Sequence, residues 1–262
     1  MEQPLQSDES AKVKRYTVHD FYKLCAVFLS DIINAWAHFG WQKKFMENIK
    51  GQKETLAMKV LIINGSPRLG GNTSIALDEM VKVFEAEGVD TEVVLVGNKD
   101  VRGCIACRAC AEKGKCVFDD VVNELAPKFE EADGLVVASP VYFASANGTL
   151  ISCLDRLFFS THFDKTMKVG ASVAVARRGG CSATYDELNK YFTISGMPVA
   201  SSQYWNSVHG REKGEAEQDL EGLQTMRTLA RNMTFLMKSI ALGKDKYGFP
   251  EKEEHLWTHF IR

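Results

Sequence analysis

The chain has 262 residues, a formal net charge of −2 at pH 7 and a hydrophobic content of 45%. These values describe one ordinary globular domain plus an extension, and the absence of a Lys/Arg-rich block argues against a nucleic-acid partner. No run of about 18 apolar residues exists, so no segment is expected to span a membrane. Residues 1–20 are polar and lack the apolar core of a secretory signal, which favours a cytoplasmic protein.

Residues 1–57 are predicted to form an N-terminal helical extension and a linker. Apolar and aromatic residues recur at helical spacing over 21–40, which predicts one long amphipathic helix with a polar continuation to residue 50. Three roles are open for its apolar face: packing against its own chain, packing against a partner subunit, or lying on a membrane surface.

Residues 58–242 alternate between strand and helix patterns. The predicted strands lie at 60–63, 91–96, 134–138, 168–176 and 197–205. The predicted helices lie at 75–87, 119–131, 146–160, 183–195 and 214–242. This alternation predicts an α/β domain with a parallel sheet between two helical layers, which binds ligands beyond the carboxyl ends of its strands. Residues 243–262 carry aromatics in a polar tail, which is expected to dock onto a surface.

The loop after the first strand has the composition of an anion site. A strand, a Gly- and Ser-rich loop and a helix follow one another, and the first N–H groups of a helix favour negative charge. Side chains add further donors at Ser66, Arg68, Asn72, Thr73 and Ser74. No Lys follows Gly71, so the loop is not a P-loop and instead suits a terminal monophosphate such as that of FMN. An ordinary turn with good capping residues is the alternative.

This loop resembles the NADPH-dependent FMN reductase branch of the flavodoxin-like superfamily. The resemblance rests on Gly65-Ser66-Pro67-Arg68 and on Asn72-Thr73-Ser74, which follow the first strand. It implies a flavodoxin-like five-stranded parallel sheet of order 2-1-3-4-5, an FMN cofactor, NAD(P)H as electron donor, and a homodimer or homotetramer.

Two further strand-end loops are candidates for contact with a flavin ring. The second loop holds Pro140, Val141, Tyr142 and Phe143, and the family carries the same four residue types there. Pro140 stiffens the turn, and Tyr142 or Phe143 is expected to lie along the ring. The third loop, with Arg177 and Gly179, is expected to bring backbone N–H groups to the ring and an arginine to the phosphates of NAD(P)H. The alternatives are a strand-end turn with core aromatics and a solvated charged turn.

Four of the seven cysteines fall within residues 104–116, in a C-x2-C-x2-C-x5-C pattern. They are Cys104, Cys107, Cys110 and Cys116. This tight spacing lets thiolates converge on one [4Fe–4S] cluster, whereas structural zinc usually uses two separated C-x2-C pairs. A redox-active thiol pair, a structural role and zinc are the alternatives. The pattern resembles the iron–sulfur flavoproteins of the same superfamily, which carry a compact cysteine motif in this insert.

These features predict an FMN-dependent oxidoreductase that passes electrons from NAD(P)H or a reduced carrier to a small-molecule or protein acceptor, with a [4Fe–4S] cluster as second redox centre. No side chain is predicted as a general base. His209 is a candidate for the substrate pocket or a plain surface histidine, and Asp155 and Arg156 are predicted to form a structural pair. Two other functions are open: a cluster-free NAD(P)H-dependent reductase of quinones, nitro- or azo-compounds, and a non-catalytic flavodoxin-type electron carrier.

Overall fold

The computed structural model describes residues 57–258, 260 and 261. The chain divides into two units at residue 56, and the described residues belong to the second unit, Leu56–Arg262. The predicted N-terminal helix lies outside the described residues. Over the part of the chain that is described, no helix combines the length and the apolar character needed to cross a bilayer.

The second unit alternates strands and helices. Its strands are β1 (Met58–Asn64), β2 (Val89–Leu95), β3 (Gly134–Tyr142), β4 (Ser145–Ala146), β5 (Val169–Ala176) and β6 (Ser207–His209). Its α-helices are α1 (Asn72–Ala86), α2 (Ala109–Lys113), α3 (Val121–Glu131), α4 (Gly148–Ser160), α5 (Cys181–Ile194) and α6 (Leu220–Tyr247). A short 3-10 helix, Glu215–Gln218, precedes α6. The helix α6 ends at Tyr247, five residues past the predicted end at residue 242.

The sheet has the order β2-β1-β3-β5-β6, and all of these pairs are parallel. This confirms the predicted flavodoxin-like order, with the short β4 added as an antiparallel partner of β3. Val60 and Ile62 of β1 pack with side chains of α1 and α6, while Leu61 and Ile63 pack with side chains of α3, α4 and α5. Successive side chains of a strand point to opposite faces, so the aliphatic run buries both faces of the sheet.

The last strand lies later in the sequence than predicted. In the range 197–205 only Val199 forms a parallel bridge, with Gly170, and the paired strand is β6. Tyr204 and Trp205 have the side chains of strand residues, but both are more than half exposed. The loop ends at the buried Asn206, whose side-chain amide donates to the carbonyl of Ser172 in β5 at 3.1 Å. This bond takes the place of a backbone hydrogen bond between strands.

The end of the described chain carries exposed aromatics. Trp257 is 78% and Phe260 is 95% exposed, so neither side chain is buried within the second unit. The docking of this tail onto another surface stays a prediction.

Candidate functional site

One cavity lies beyond the carboxyl ends of β1, β3, β5 and β6, and it is called the strand-end cavity below. It encloses about 180 Å³. It is lined by Ser66, Arg68, Asn72, Thr73, Pro140, Val141, Tyr142, Val175, Ala176, Arg177, Gly210 and Arg211. The sheet register places these loops side by side, since Asn64 at the end of β1 stands opposite Ala138 of β3. Eight of the eleven residues predicted to bind the cofactor line this cavity.

The first loop is held by its own polar groups. The N–H of Ser66 donates to Asn64 Oδ1 at 2.9 Å, and Ser66 Oγ accepts from the N–H of Arg68 at 3.2 Å. Gly71 is the N-cap of α1, without a side-chain cap, and the first turn of α1 has no acidic residue. The first N–H groups of α1 are therefore left for a ligand, and an anion would meet no competing carboxylate.

Asn72 lines the cavity, but its side chain is engaged elsewhere. Its Nδ2 donates to the carbonyl of Glu212 at 2.9 Å, and its Oδ1 accepts from the N–H groups of Gly214 and Ala216 at 3.1 and 3.2 Å. The amide thus ties the start of α1 to the loop after β6. Ser74 lies outside the lining, and its hydroxyl accepts from Asn64 Nδ2 at 3.2 Å.

The second loop is a tight hairpin between β3 and β4. Tyr142 pairs with Ser145, and the two turn residues, Phe143 and Ala144, have φ values of 52° and 59°. Consecutive positive φ angles are typical of a type I′ turn, although neither residue is Gly. Tyr142 lines the cavity, whereas Phe143 is fully exposed at the tip of the turn. Of the two predicted aromatics, the structure brings only Tyr142 to the cavity.

The helix α5 supports this hairpin and the third loop. Glu187 accepts from the hydroxyl of Ser145 and from the N–H of Ala146, both at 2.8 Å. Gly180 has φ of 96°, and a Cβ there would lie 2.9 Å from the Cα of Ala144. Glycine at this position therefore lets the third loop approach the hairpin closely.

Arginines form the rim of the strand-end cavity. Arg68, Arg177 and Arg211 all line it, and Arg68 Nη1 lies 3.5 Å from the carbonyl of Arg211. Gly179 is exposed and lies outside the lining. Sequence reasoning missed Gly210 and Arg211. Both residues directly follow β6, so a correct prediction of this strand would have marked them as strand-end residues. The last strand was instead predicted at 197–205.

His209 stands beside the cavity rather than in its lining. Its Nδ1 lies 3.4 Å from Asp219 Oδ2, and its Nε2 lies 4.0 Å from the sulfur of Cys181. Burial, and to a lesser degree the charge of Asp219, raises the pKa of the Cys181 thiol to about 11. This thiol therefore stays protonated at neutral pH and is a poor nucleophile.

A second cavity lies under the insert between β2 and α3, and it is called the cysteine cavity below. It encloses about 20 Å³ and is lined by all four clustered cysteines together with Ile105, Arg108, Val117, Phe118, Arg156, Phe159 and Ser160. Cys104 and Cys107 are exposed, Cys110 is buried and Cys116 is half-buried. Among the described residues, no three His, Cys, Asp or Glu side chains lie close enough to hold a metal ion.

The backbone of the cysteine insert bends sharply between its first three cysteines. Ala106 and Arg108 have φ values of 52° and 58°, in the left-handed region that favours glycine. The N–H of Ala106 donates to the sulfur of Cys104 at 3.4 Å. The bends lie between three cysteines that all line the cysteine cavity.

The fourth cysteine is held by α3 and α4. Asn123 accepts from the N–H of Cys116 at 3.0 Å and donates to its carbonyl at 3.1 Å. Arg156 Nε donates to the sulfur of Cys116 at 3.2 Å, and the same guanidinium makes a bidentate pair with Asp120 at 2.7 and 2.9 Å. The predicted pairing of Arg156 with Asp155 is wrong, because Asp155 instead accepts from the hydroxyl of Tyr191.

A family model described as NADPH-dependent FMN reductase matches residues 58–212. The chain is 35% identical over 191 residues to the iron-sulfur flavoprotein MJ1083 of Methanocaldococcus jannaschii, which covers 70% of this chain and 99% of that protein. It is 33% identical over 193 residues to an iron-sulfur flavoprotein of Methanosarcina thermophila, which covers 72% of this chain and 100% of that protein.

Solved structures share the fold at low sequence identity. A structure of RosB with bound 8-demethyl-8-formylriboflavin-5′-phosphate has a TM-score of 0.57 and 19% identity, and covers 79% of this chain and 94% of that chain. A flavone reductase has a TM-score of 0.52 and 18% identity, and covers 70% of this chain and 64% of that chain. Identities this low show the fold alone.

Proposed function

Because the chain belongs to the NADPH-dependent FMN reductase family, we propose that its strand-end cavity binds FMN and that the protein passes electrons from NAD(P)H or a reduced carrier to an acceptor. The family supports an FMN-dependent flavoprotein with oxidoreductase activity. The observation that carries the proposal is the convergence of strand-end loops and an uncapped helix start on one cavity. When bound, FMN supplies hydride acceptance and electron transfer.

The phosphate end of FMN is proposed to lie at the start of α1. Ser66 is buried with its oxygen fixed by the N–H of Arg68, so its hydroxyl proton is free to point at a ligand. Thr73 adds a second hydroxyl and Arg68 adds a positive charge at the rim. Asn72 is proposed to contribute its backbone N–H, since its side chain holds the neighbouring loop. This donor set fits a terminal phosphate.

The flavin ring is proposed to lie between the second loop, the third loop and the loop after β6. Pro140, Val141 and Tyr142 would contact it from one side, with Arg177 and Gly210 at the other edge. Ring contacts by Phe143 and Gly179 stay predictions, as does a contact by Ser74 with the phosphate.

The four clustered cysteines are proposed to ligate a [4Fe–4S] cluster. All four border one cavity, and the proteins that resemble this chain over most of their length are named iron-sulfur flavoproteins. Each thiolate of a cubane cluster binds a different iron, so the four sulfurs need not meet at one point as the ligands of a single ion must. A cluster, when bound, carries electrons one at a time.

Anaerobic purification with cofactor analysis tests this function. We expect one FMN per chain and, after reconstitution, about four irons and four sulfides, together with oxidation of NADH or NADPH. Fewer than about two irons per chain would favour the cluster-free reductase. Bound FMN with no turnover of either nucleotide would instead favour the electron carrier.

A further inference from the structure

A buried cation stands beside the cysteine cavity. Arg156 is 1% exposed and is the largest fully buried side chain of the described residues. Burying a guanidinium is costly unless its donors are paired, and Arg156 pairs with Asp120 and with the carbonyl of Arg102 at 3.2 Å. Its Nε points elsewhere, at the sulfur of Cys116. The sulfur of Cys116 is therefore the acceptor for the Nε–H, because the carboxylate of Asp120 accepts from Nη1 and Nη2 instead.

The four cysteine sulfurs differ in their polar partners. Within the described residues, the sulfur of Cys116 is the one that meets a charged donor, Arg156 Nε at 3.2 Å. The sulfur of Cys104 accepts from a backbone N–H, and that of Cys110 lies 3.9 Å from the carbonyl of Phe159. The donor set is therefore asymmetric, with positive charge concentrated on the fourth sulfur.

We propose that Arg156 is an outer hydrogen-bond donor to the Cys116 ligand, which aims this sulfur at the cavity and makes a bound cluster easier to reduce. This inference rests on the proposed cluster. Hydrogen bonds to ligand sulfurs and nearby charge set the potential of such a centre, because reduction adds negative charge that the donor stabilises. Since Arg156 is buried, water screens this effect little.

The main variant is Arg156→Lys, which keeps the charge and a partner for Asp120 but removes the Nε–H bond to sulfur. The matched control is Arg102→Gln. The Arg102 guanidinium lies 4.8 Å from the ring centroid of Phe118, as that of Arg156 does at 5.0 Å. It is exposed, and among the described residues Arg156 rather than Arg102 donates to a cysteine sulfur.

Each protein is reconstituted, its iron per chain is counted, and the potential of the cluster is measured by spectroelectrochemical titration. We expect Arg156→Lys to shift the potential to a more negative value, while Arg102→Gln leaves it unchanged. An unchanged potential in fully loaded Arg156→Lys, or an equal shift in the control, would overturn the inference. Absence of iron in the wild-type protein would overturn the cluster itself, and the iron count separates that failure from the first.

A second variant decides the question if Arg156→Lys loads less iron than the wild type. Asp120→Asn keeps Arg156 and its bond to sulfur but removes the negative charge that offsets the guanidinium. Asn is also a good N-cap for α3, which Asp120 now caps through the N–H of Val122. We expect the potential of this variant to become more positive. A negative shift, or none, would contradict the claim that the charge beside Cys116 sets the potential of the cluster.

Discussion

The two cavities of this protein are built in opposite ways. The strand-end cavity is formed by loops that leave adjacent parallel strands, and its backbone approaches are so close that glycine is needed at several points. The cysteine cavity is formed mainly by one irregular insert that lies against α4, and in this insert Ala106 and Arg108 occupy the conformations where glycine would be favoured. A rigid sheet thus fixes the first cavity, whereas only the last two cysteines of the second rest on helices.

This difference teaches where each cavity is vulnerable. Around the strand-end cavity an added methyl group collides with backbone, so small substitutions should disturb folding and ligand binding together. In the first half of the cysteine insert the side chains are exposed, so substitutions there should act on metal retention more than on the fold. Three variants test this contrast, in order of decreasing effect.

The largest effect is expected from Gly97→Ala. A Cβ at Gly97 would collide with the carbonyl of Gly65 and with the backbone of Ser66, where neither neighbour is a flexible side chain. We expect a loss of about 3 kcal/mol in the free energy of unfolding, measured with urea, because the first loop must move. FMN affinity should fall as well.

The control for this variant is Gly148→Ala, because an added Cβ at Gly148 meets no atom within 4 Å. Its free energy of unfolding should stay within about 0.5 kcal/mol of the wild type. Equal losses in both variants would show that the close packing around the first loop is not what limits stability.

A smaller effect is expected from Ser66→Ala combined with Thr73→Ala. Both hydroxyls line the strand-end cavity, and their loss should weaken FMN binding by about 1–3 kcal/mol through lost hydrogen bonds to a charged group. Fluorescence titration of the FMN-free protein measures this affinity. Thr193→Ala serves as control, because it removes an exposed hydroxyl at the C-terminal end of α5, outside the lining of the strand-end cavity. Unchanged affinity in the double variant would mean that the phosphate binds elsewhere.

Sequence patterns were sufficient for the first four parallel strands and for much of the lining of the strand-end cavity. A buried aliphatic run and a following loop of donors mark β1 and the start of α1 without long-range information, which is why Ser66 and Thr73, two residues that line the cavity, were among those predicted. The position of the last strand was predicted wrongly because Tyr204 and Trp205 have strand propensity but lie in an exposed loop. Because of this error, Gly210 was not predicted to line the strand-end cavity.

Other features depend on contacts that no local pattern contains. Arg156 pairs with Asp120, which lies 36 residues earlier, rather than with its neighbour Asp155, so only the packing of α3 on α4 reveals it. The direction of Phe143 follows from two left-handed residues that the sequence does not mark with glycine. Side-chain direction at a turn and pairing between helices are tertiary properties, and propensity does not determine them.

The smallest effect on stability is expected from Ala106→Gly, the reverse of the glycine substitution near the strand ends. The left-handed conformation costs a non-glycine residue about 1–2 kcal/mol, whereas the added chain entropy of glycine costs about 0.5–1 kcal/mol. The two terms oppose each other, so the free energy of unfolding of the metal-free protein should stay the same or rise, by no more than about 1.5 kcal/mol.

Ala111→Gly is the matched comparison, because Ala111 lies in the same insert, is also exposed and is helical. Ala111 has no left-handed strain that glycine could relieve. The free energy of unfolding of Ala111→Gly should therefore fall by about 1 kcal/mol in the same urea titration, whereas that of Ala106→Gly should not. If both substitutions lower the free energy of unfolding by the same amount, the bend at Ala106 stores no strain. The cysteine insert would then be as firmly determined by packing as the strand ends, and the contrast between the two cavities would fail.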